Sequence, residues 1–398
     1  MTMNIFKNAK PILTKLIENG FEAYFVGGCV RDKLLNKEIG DIDIATSALP
    51  EEVMSIFSKT VPTGLQHGTV LVIEQNESYE ITTFRTESTY EDYRRPSEVI
   101  YVKSILEDLK RRDFTMNAIA MDVDENYIDP FKGEEAINQK LIQAVGNADE
   151  RFHEDALRMM RGIRFVSQLD FTMHNDTFLA IQANCSLIEK IATERISVEF
   201  EKLLIGKSPK KAIQLCIDTN LIEHLPNFQD GKRIFSKIQT FPIENLKTIE
   251  EFWAMILLIG KFDQPESILR NWKMSNERMK QIMKLYLLLK NEELEWSHSN
   301  LYNTGLEYAI KYELLQSVLG NIAKRRTEQS LTEQFKQLPI HSKAELCFTG
   351  NDLLKWTNEK AGPWLKEVIS EIEMLIVEQK LTNNQPAIKE WFQTWHQK

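Results

Sequence analysis

Residues 27–46 read GGCVRDKLLNKEIGDIDIAT, and three local signals that decide the fold follow one another in this stretch. The preceding residues, FEAYFV, are typical of a short strand, and the Gly-Gly pair then allows a tight turn into a helix. DIDIAT reads as a second strand. Backbone N–H groups at such a turn, with Gly28 at the start of the helix, can approach phosphate oxygens closely. A Gly-Gly pair alone is weak evidence, because a tight turn needs glycine for its dihedral angles whatever it binds.

The aspartates Asp41 and Asp43 are the chemical signal in this stretch. Because alternate residues of a strand share a face, we expect both carboxylates on one side and Ile42 and Ile44 packed on the other. Two like charges this close are costly unless a cation lies between them. The pair therefore predicts a two-metal site, in which one ion activates an attacking hydroxyl and the other neutralises the leaving phosphates. A solvated strand end is the alternative for the pair taken alone.

A third carboxylate from a neighbouring strand commonly completes a two-metal site. Glu80, in the strand-like segment YEITTFR, is the candidate in this sequence. Its alternative interpretation is an ordinary exposed strand glutamate.

A second motif, LKRRDFTMNAIAM, occupies residues 109–121. The forked guanidinium groups of Arg111 and Arg112 suit triphosphate oxygens, which they can bind in a bidentate way. Asp113 and Asn117 have the donors and acceptors that a ribose 2′-OH requires. A cluster of charges at a helix end is the alternative, but it does not explain why RRD directly precedes a buried-looking segment.

A third motif, EDALRMMRGIRF, occupies residues 154–165. Its charged residues recur every three positions and are predicted to line one helix face; they are Asp155, Arg158, Arg161 and Arg164. An Asp can accept from the exocyclic amine of cytosine or adenine while an Arg donates to the adjacent ring nitrogen. Uracil and guanine present the opposite polarity, so a mismatch leaves buried polar groups unpaired. A salt-bridge ladder on a solvated face is the alternative.

The pattern of the chain changes near Gly146. Before it, helix and strand signals alternate, whereas after it apolar residues recur every three or four positions and strand-like alternation disappears. We therefore expect an α+β protein with a small mixed α/β head followed by a long helical body.

The composition is that of an ordinary soluble protein, with 398 residues and a formal net charge of -9. An acidic chain argues against a protein that coats nucleic acid, but local basic patches can still bind phosphate. The four cysteines are far apart and lack CxxC spacing, so neither a zinc site nor a disulfide framework is indicated. No apolar run approaches the roughly 18 residues of a membrane span, and we expect a cytoplasmic protein.

Taken in order, the glycine turn, DxD, RRDFTxNA and EDxxRxxR resemble the class II tRNA CCA-adding enzymes. These belong to the DNA polymerase β-like nucleotidyltransferase superfamily, together with bacterial poly(A) polymerase. The resemblance extends to residues 348–383 near the C-terminus, where Trp364 stands in place of the small residue often found after Gly-Pro. That departure leaves the local packing of the tail open.

The resemblance implies a polymerase β-like nucleotidyltransferase head at residues 1–145, followed by an all-helical region. That region comprises a neck that recognises the nucleotide base at 146–205, a body at 206–295 and a tail that binds tRNA at 296–398. It implies CTP and ATP as substrates, Mg²⁺ in the site, and tRNA as the primer, bound through its 3′ end and its acceptor and elbow region; a homodimer is left open. Asp41 and Asp43 would hold the metal. The triphosphate or the ribose would be contacted by Gly28, Arg31 and Arg112. Asp155 and Arg158 would distinguish the bases, supported by Arg161 and Arg164.

Members of this family differ in activity, and the sequence favours full CCA addition. A long polar segment at residues 84–102 is of the kind that switches specificity from C to A, and the acidic chain lacks the basic character usual in poly(A) polymerases. CC-adding, A-adding and poly(A) activities remain alternatives, as does an inactive RNA-binding homologue. Candidate tRNA contacts, each equally explained as a solvated helix end, are Lys207, Lys210, Lys211, Lys324, Arg325 and Arg326.

Overall fold

The computed structural model describes residues 2–87, 90–91, 95–96, 99–291, 294–321, 325–357 and 360–396. Part of the polar segment 84–102 lies outside these residues, as does Lys324. The chain forms two compact units: unit 1 comprises Met1–Glu244 and Glu266–Ser275, and unit 2 comprises Asn245–Pro265 and Asn276–Lys398. The finer division into head, neck, body and tail stays a prediction.

All of the described strands belong to unit 1. They are β1 (Ala23–Val26), β2 (Asp43–Thr46), β3 (Thr60–Gly64), β4 (Thr69–Glu74), β5 (Glu77–Thr83), β6 (Arg85–Glu87), β7 (Tyr90–Glu91), β8 (Arg95–Pro96), β9 (Val99–Tyr101), β10 (Ala120–Met121), β11 (Tyr127–Ile128), β12 (Leu141–Ile142) and β13 (Thr172–Met173). Seven of them form one sheet in the order β11-β10-β1-β2-β5-β4-β3, in which only the β2–β5 pairing is parallel. The mixed α/β head expected from the sequence is confirmed.

Helices supply most of the remaining structure. Those of unit 1 are α1 (Thr2–Glu18), α2 (Gly28–Leu34), α3 (Pro50–Ile56), α4 (Ile105–Lys110), α5 (Gly133–Asn138), α6 (Ala148–Glu154), α7 (Leu157–Leu169), α8 (Asn175–Asn184), α9 (Thr193–Leu204), α10 (Pro209–Asp218) and α11 (Gly231–Gln239). Next come α12 (Ile249–Gly260) of unit 2 and α13 (Pro265–Asn271), which lies almost wholly in unit 1. Those that complete unit 2 are α14 (Asn276–Leu289), α15 (His298–Thr304), α16 (Leu306–Val318), α17 (Glu328–Lys336), α18 (Gly350–Thr357), α19 (Pro363–Val377) and α20 (Gln385–His396). No helix in the described part of the chain has both the length and the apolar character that a membrane span requires.

The position of Asp41 corrects the expectation that both aspartates lie on one strand. Ile42 and Ile44 are buried in the head core as expected, but β2 begins at Asp43. The cause lies in β1, which pairs with β2 only as far as Phe25 opposite Ile44. At Gly27 the backbone adopts a positive φ of 75° and turns into α2, so the residues before Asp43 have no ladder partner on that side. Asp41 is therefore an exposed residue at the entrance to the strand.

The position of Asp155 is a second correction. The three-residue spacing predicted one continuous helical face from Asp155 to Arg164, whereas the chain breaks between α6 and α7 and Asp155 lies in the break with extended dihedral angles. Its Oδ1 accepts a hydrogen bond from Leu157 N at 3.0 Å, so the side chain satisfies one of the unpaired N–H groups at the start of α7. The arginines at positions 158, 161 and 164 do follow one another on α7.

Trp364 is accommodated in unit 2 without disturbing its core. Its ring stacks against Phe392 with centroids 6.3 Å apart, and its Nε1 donates to Lys360 O at 3.2 Å. The departure from the tail motif therefore adds an aromatic contact to the apolar cluster of α18, α19 and α20.

Candidate active site

A polar cavity of about 460 Å³ in unit 1 collects most of the residues that the motifs predicted. It lies among the β1–α2 turn, the start of β2, the segment after α4, and helices α7 and α9. Seven arginines and three aspartates share its lining with a few other residues; the charged ones are Arg31, Asp43, Arg111, Arg112, Asp113, Asp155, Arg158, Arg161, Arg164 and Arg195. The excess of positive charge suits a polyanionic ligand such as a nucleoside triphosphate.

The glycine turn forms one wall of this cavity. Gly27 has φ 75° and ψ −131°, a conformation that side chains disfavour, and a Cβ atom at this position would lie 3.0 Å from Arg112 Nη1 and 3.7 Å from Asp43 Oδ2. A side chain at Gly27 would thus intrude between the arginine and the aspartate. Gly27 was not among the predicted site residues, although it adjoins Gly28, which lines the same wall.

Asp43 is a carboxylate whose ionised form is less favoured here than in water, so that an added cation would stabilise it. Burial raises its pKa, Arg112 lowers it, and the neighbouring Glu80 and Asp41 raise it again, with a net value of about 6. Glu80 is the register partner of Asp43 across the parallel β2–β5 pair and is exposed. Ionised Asp43 is therefore destabilised at neutral pH unless a cation compensates it.

The donor set fits a hard divalent ion that takes only part of its ligands from the protein. Asp41 and Asp43 offer carboxylate oxygens, and no group of three or more potential metal-binding side chains occurs among the described residues. Mg²⁺ is commonly held by one or two carboxylates together with water and substrate phosphates, so a pair of aspartates suffices. A ligand role for Glu80 stays a prediction.

Asp113 and Asn117 are tied into the protein rather than left free in the cavity. Asp113 Oδ2 accepts from Arg161 Nε at 2.9 Å and Nη2 at 2.6 Å, while Oδ1 accepts from Phe114 N and from Asn117 Nδ2. Asn117 Oδ1 in turn accepts from Arg31 Nη1 at 2.8 Å. This chain of bonds links two motifs of the head to α7 and fixes the guanidinium groups of Arg31 and Arg161.

Asp155 and Arg158, for which base reading stays a prediction, both line the cavity, and each already has protein partners. Asp155 Oδ2 accepts from Arg195 Nη2 at 2.8 Å. Arg158 donates from Nη1 to Glu154 Oε2 at 2.6 Å and from Nη2 to Arg111 O at 2.9 Å. Both side chains line the cavity, so a nucleobase placed there meets groups whose orientation is set by the protein.

Sequence reasoning missed Arg195 and Glu199, both on α9. Glu199 forms ion pairs with Arg164 at 2.6 Å and with Arg161 at 4.0 Å. Arg195 holds Asp155, and its Nη1 is buried without a hydrogen-bond partner among the described residues. Their segment, TERISVEFEKLL, has the pattern of an ordinary amphipathic helix, and only the tertiary fold brings it to the site.

The arginine pair before Asp113 is held by a buried acid. Asp108 accepts from Arg111 at 2.8 Å and from Arg112 at 3.0 Å, and these two charges outweigh burial and lower its pKa. Arg112 is thereby oriented towards the glycine turn and Asp43.

The lysines of GKSPKK form ion pairs within unit 1. Lys207 and Lys211 pair with Asp170, and Lys210 pairs with Glu244 at 3.6 Å. In unit 2, Arg325 donates to Glu313 O at 3.1 Å. Their contact with tRNA stays a prediction.

Comparison with known proteins was made with family models and with individual relatives. A model described as the poly A polymerase head domain matches residues 23–143. A model described as a probable RNA and SrmB-binding site of polymerase A matches residues 170–231, and a model of tRNA nucleotidyltransferase domain 2 matches residues 244–392.

The individual relatives match almost end to end. CCA-adding enzymes of Bacillus cytotoxicus and Bacillus cereus are each 48% identical over 392 residues, which is 98% of this chain and 99% of the relative. The crystal structure of the Bacillus stearothermophilus CCA-adding enzyme in complex with CTP superposes with a TM-score of 0.89 at 39% identity and covers 98% of both chains. The Thermotoga maritima CCA-adding enzyme complexed with tRNA_CCA, at 20% identity and a TM-score of 0.65, covers 99% of this chain and 96% of its own and shares the fold.

Proposed function

The chain belongs to the CCA-adding enzyme family, and we propose that it adds C, C and A to the 3′ end of tRNA without a template. CTP and ATP are the nucleotide donors. The 3′ oxygen of the primer bonds to the α-phosphorus, the bond between the α-phosphorus and the oxygen that bridges to the β-phosphate breaks, and pyrophosphate leaves. The observation that carries the proposal is that Asp43 of the DxD pair lines an arginine-rich cavity, in a chain 48% identical over 98% of its length to CCA-adding enzymes. A tRNA substrate also suits the cytoplasmic location expected from the sequence.

Nucleotidyl transfer in this family uses a divalent metal, and we propose Mg²⁺, held by Asp41 and Asp43. When bound, the ion supplies positive charge that favours ionisation of the attacking hydroxyl and stabilises the phosphate oxygens. The residues fit this ion because Asp43 is half-buried, has a raised pKa and lies beside a second carboxylate. Glu80 is retained as a candidate third carboxylate that strengthens the negative potential of the site.

The triphosphate is assigned to the positive wall of the cavity. Gly28 leaves room for a close approach to the backbone, and the guanidinium groups of Arg31 and Arg112 provide forked donors for phosphate oxygens. Asn117 and Asp113 are proposed to act near the ribose. Because the Asp113 carboxylate already accepts from Arg161 and Asn117, its main effect there is to orient those donors.

Base selection is assigned to Asp155 and Arg158. The Asp155 carboxylate accepts from the exocyclic amine that cytosine and adenine share, and Arg158 donates to the ring nitrogen beside it. Arg161 and Arg164 support this pair through Asp113 and Glu199. Asp155 also accepts from Arg195, and Arg158 also donates to Glu154. The nucleotide must therefore share Asp155 and Arg158 with these protein partners or displace the partners.

The decisive experiment measures product lengths. Purified protein is incubated with tRNA that ends before CCA, with CTP, ATP or both, in the presence of Mg²⁺. We expect two added nucleotides with CTP alone and three with both. Growth that stops at CC with both nucleotides, addition of A only to a tRNA ending in CC, or long A tracts would identify the other activities of the family. No addition at all, with tRNA binding retained, would indicate an inactive RNA-binding homologue.

Substitutions at the site test the residue assignments. Asp43→Ala should reduce addition to background because only Asp41 would remain of the proposed metal-binding pair, and unchanged CTP incorporation would refute the metal assignment. Exchanging Asp155 and Arg158 for groups of opposite polarity should admit UTP or GTP; unchanged nucleotide choice would refute the base-reading assignment.

A further inference from the structure

Asp108 is a buried carboxylate close to the candidate active site that does not itself line the nucleotide cavity. Its side chain is only 1% exposed. It lies on α4 and forms ion pairs with Arg111 at 2.8 Å and with Arg112 at 3.0 Å, both of which do line the cavity. Asp108 therefore acts on the site only through these two arginines.

Arg112 is held mainly by this carboxylate. Within the described part of the chain, Asp108 is its one ion-pair partner, and its Nε is buried without a hydrogen bond. Its Nη1 donates only a long hydrogen bond, of 3.5 Å, to Asn117 O. The Nη1 end of the guanidinium is therefore the part that can turn to another acceptor if the charge of Asp108 is lost.

Asp43 is the acceptor within reach of Arg112. A Cβ atom built on Gly27 would lie 3.0 Å from Arg112 Nη1 and 3.7 Å from Asp43 Oδ2, so the two groups flank one gap, which stays open because glycine has no side chain. Asp43 is half-buried, and an ion pair there is screened less by salt than one at the surface. Without the charge of Asp108, Arg112 would pair with Asp43 and take the place of the cation proposed to bind there.

We propose that Asp108 is a positioning residue for the metal site: its charge holds Arg112 away from Asp43 and so leaves the Asp43 carboxylate available to a divalent cation. This inference rests on the proposed function, which assigns Asp43 to the metal. It adds that the metal ion and a cationic side chain compete for one carboxylate, and that Asp108 decides the competition. Arg112 then stays available for phosphate oxygens.

The test is binding of Mn²⁺, which takes the same oxygen ligands as Mg²⁺, to the full-length protein without nucleotide, followed by the electron paramagnetic resonance signal of the free ion. Asp108→Asn keeps the size of the side chain and removes its charge, and it should weaken Mn²⁺ binding about tenfold. Asp108→Glu, which retains the charge, should restore most of the affinity. Asp170→Asn is the matched control and should leave the affinity unchanged, because Asp170 also pairs with two cations, Lys207 and Lys211, but does not line the cavity.

The double variant Asp108→Asn/Arg112→Gln separates competition from distortion of the site. If Arg112 blocks Asp43, removing the charge of Arg112 as well should return Mn²⁺ binding to the wild-type value or above it. A double variant that binds Mn²⁺ as weakly as Asp108→Asn would overturn the proposal. If Asp108→Asn does not fold, Asp108→Asn/Arg111→Gln, which compensates the lost charge, replaces it with the same expected tenfold loss relative to wild type.

Asp43→Ala distinguishes this inference from the metal assignment. If Asp43→Ala leaves Mn²⁺ binding unchanged, the metal assignment fails and the present inference fails with it. If Asp43→Ala abolishes Mn²⁺ binding but Asp108→Asn binds the ion as wild type does, only the present inference fails. Addition of CCA by the wild-type protein is measured separately, and its absence would refute the proposed function whatever the Mn²⁺ affinities.

Discussion

At the scale of single residues, the ion pair between buried Asp113 and partly exposed Arg161 links stability to pH. Burial raises the pKa of Asp113, but Arg161 and the hydrogen bond from Asn117 outweigh it and hold the pKa at about 2, below the unfolded value of 3.8. The ionised carboxylate therefore contributes stability that is complete above about pH 4 and is lost as the pH falls through about 2.

Replacing this carboxylate should show that pH dependence directly. We expect Asp113→Asn to lower the free energy of unfolding by about 2 kcal/mol at pH 7, because the buried carboxylate no longer pairs with the partly exposed Arg161. Urea unfolding at several pH values should show the difference from wild type shrinking between pH 4 and pH 2. Asp263→Asn, at an exposed position, is the control with no expected change. A deficit that does not vary with pH would contradict this explanation.

Phe165 is a positioning residue for the arginines of the active site. The guanidinium carbons of Arg31, Arg161 and Arg164 lie 5.3, 5.7 and 4.1 Å from the centroid of its buried ring. Each such contact contributes about 0.5–2 kcal/mol, so one ring supports a large part of the positive wall.

Removal of the Phe165 ring should therefore affect nucleotide binding more than chemistry. We expect Phe165→Leu to raise KM for CTP and ATP by about tenfold with a smaller change in kcat, since the arginines lose their orientation. Phe165→Tyr, which keeps a π face, should retain most of the affinity. Equal KM values for the leucine and tyrosine variants would refute the positioning role, and thermal unfolding of both separates it from a loss of folding.

At the scale of elements, α7 joins the head core to the arginines of the site. Gly162 is the point of closest approach: a Cβ there would lie 2.9 Å from Phe114 Cζ and 3.2 Å from Phe114 Cε1. Phe114 is fully buried and cannot yield easily, because its ring packs edge-on against Phe165 with centroids 5.9 Å apart.

In the variant Gly162→Ala, a more favourable helix propensity is opposed by the cost of overpacking the contact with Phe114. Alanine favours the helix by about 1 kcal/mol, but overpacking costs about 1–3 kcal/mol, so we expect net destabilisation of about 1 kcal/mol and a weaker affinity for CTP. Gly40→Ala is the stability control, since Gly40 is exposed and a Cβ there meets nothing within 4 Å. An increase in melting temperature for Gly162→Ala would show that the interface between α7 and Phe114 can relax.

Local sequence patterns predicted most of the central elements, and the exceptions have tertiary causes. The strands β1, β2 and β5 occur within the segments FEAYFV, DIDIAT and YEITTFR that the sequence indicated. The edge strand β3 was missed because it contains Pro62, which is tolerated only where no neighbour needs its N–H group. The break at Asp155 was missed because a spacing of three residues is equally typical of a continuous helix.

At the scale of the whole molecule, the site depends on residues far apart in the sequence. Short motifs in the sequence indicated the candidates for metal binding, triphosphate binding and base reading, and most of these residues line one cavity. The sequence could not indicate that α9 supplies Arg195 and Glu199, because their effect depends on side chains about 40 residues earlier, in α7 and the break before it. Long-range ion pairs leave no local periodicity to detect.

The separation into two units predicts how a nucleotide will stabilise the protein. All lining residues of the nucleotide cavity belong to unit 1, whereas the apolar cluster of α18, α19 and α20 belongs to unit 2. A ligand stabilises only the part of a protein that unfolds together with its binding site. At a ligand concentration of 100 times Kd, the free energy of unfolding of that part rises by about 2.7 kcal/mol. With Mg²⁺ and saturating CTP, hydrogen exchange should slow in β1 and α7, where protection rises by about 100-fold. Exchange in α19 should be unaffected if the two units open independently. Equal protection in α7 and α19 would instead mean that both units unfold as one cooperative structure, and CTP would then stabilise the helical unit that it does not touch.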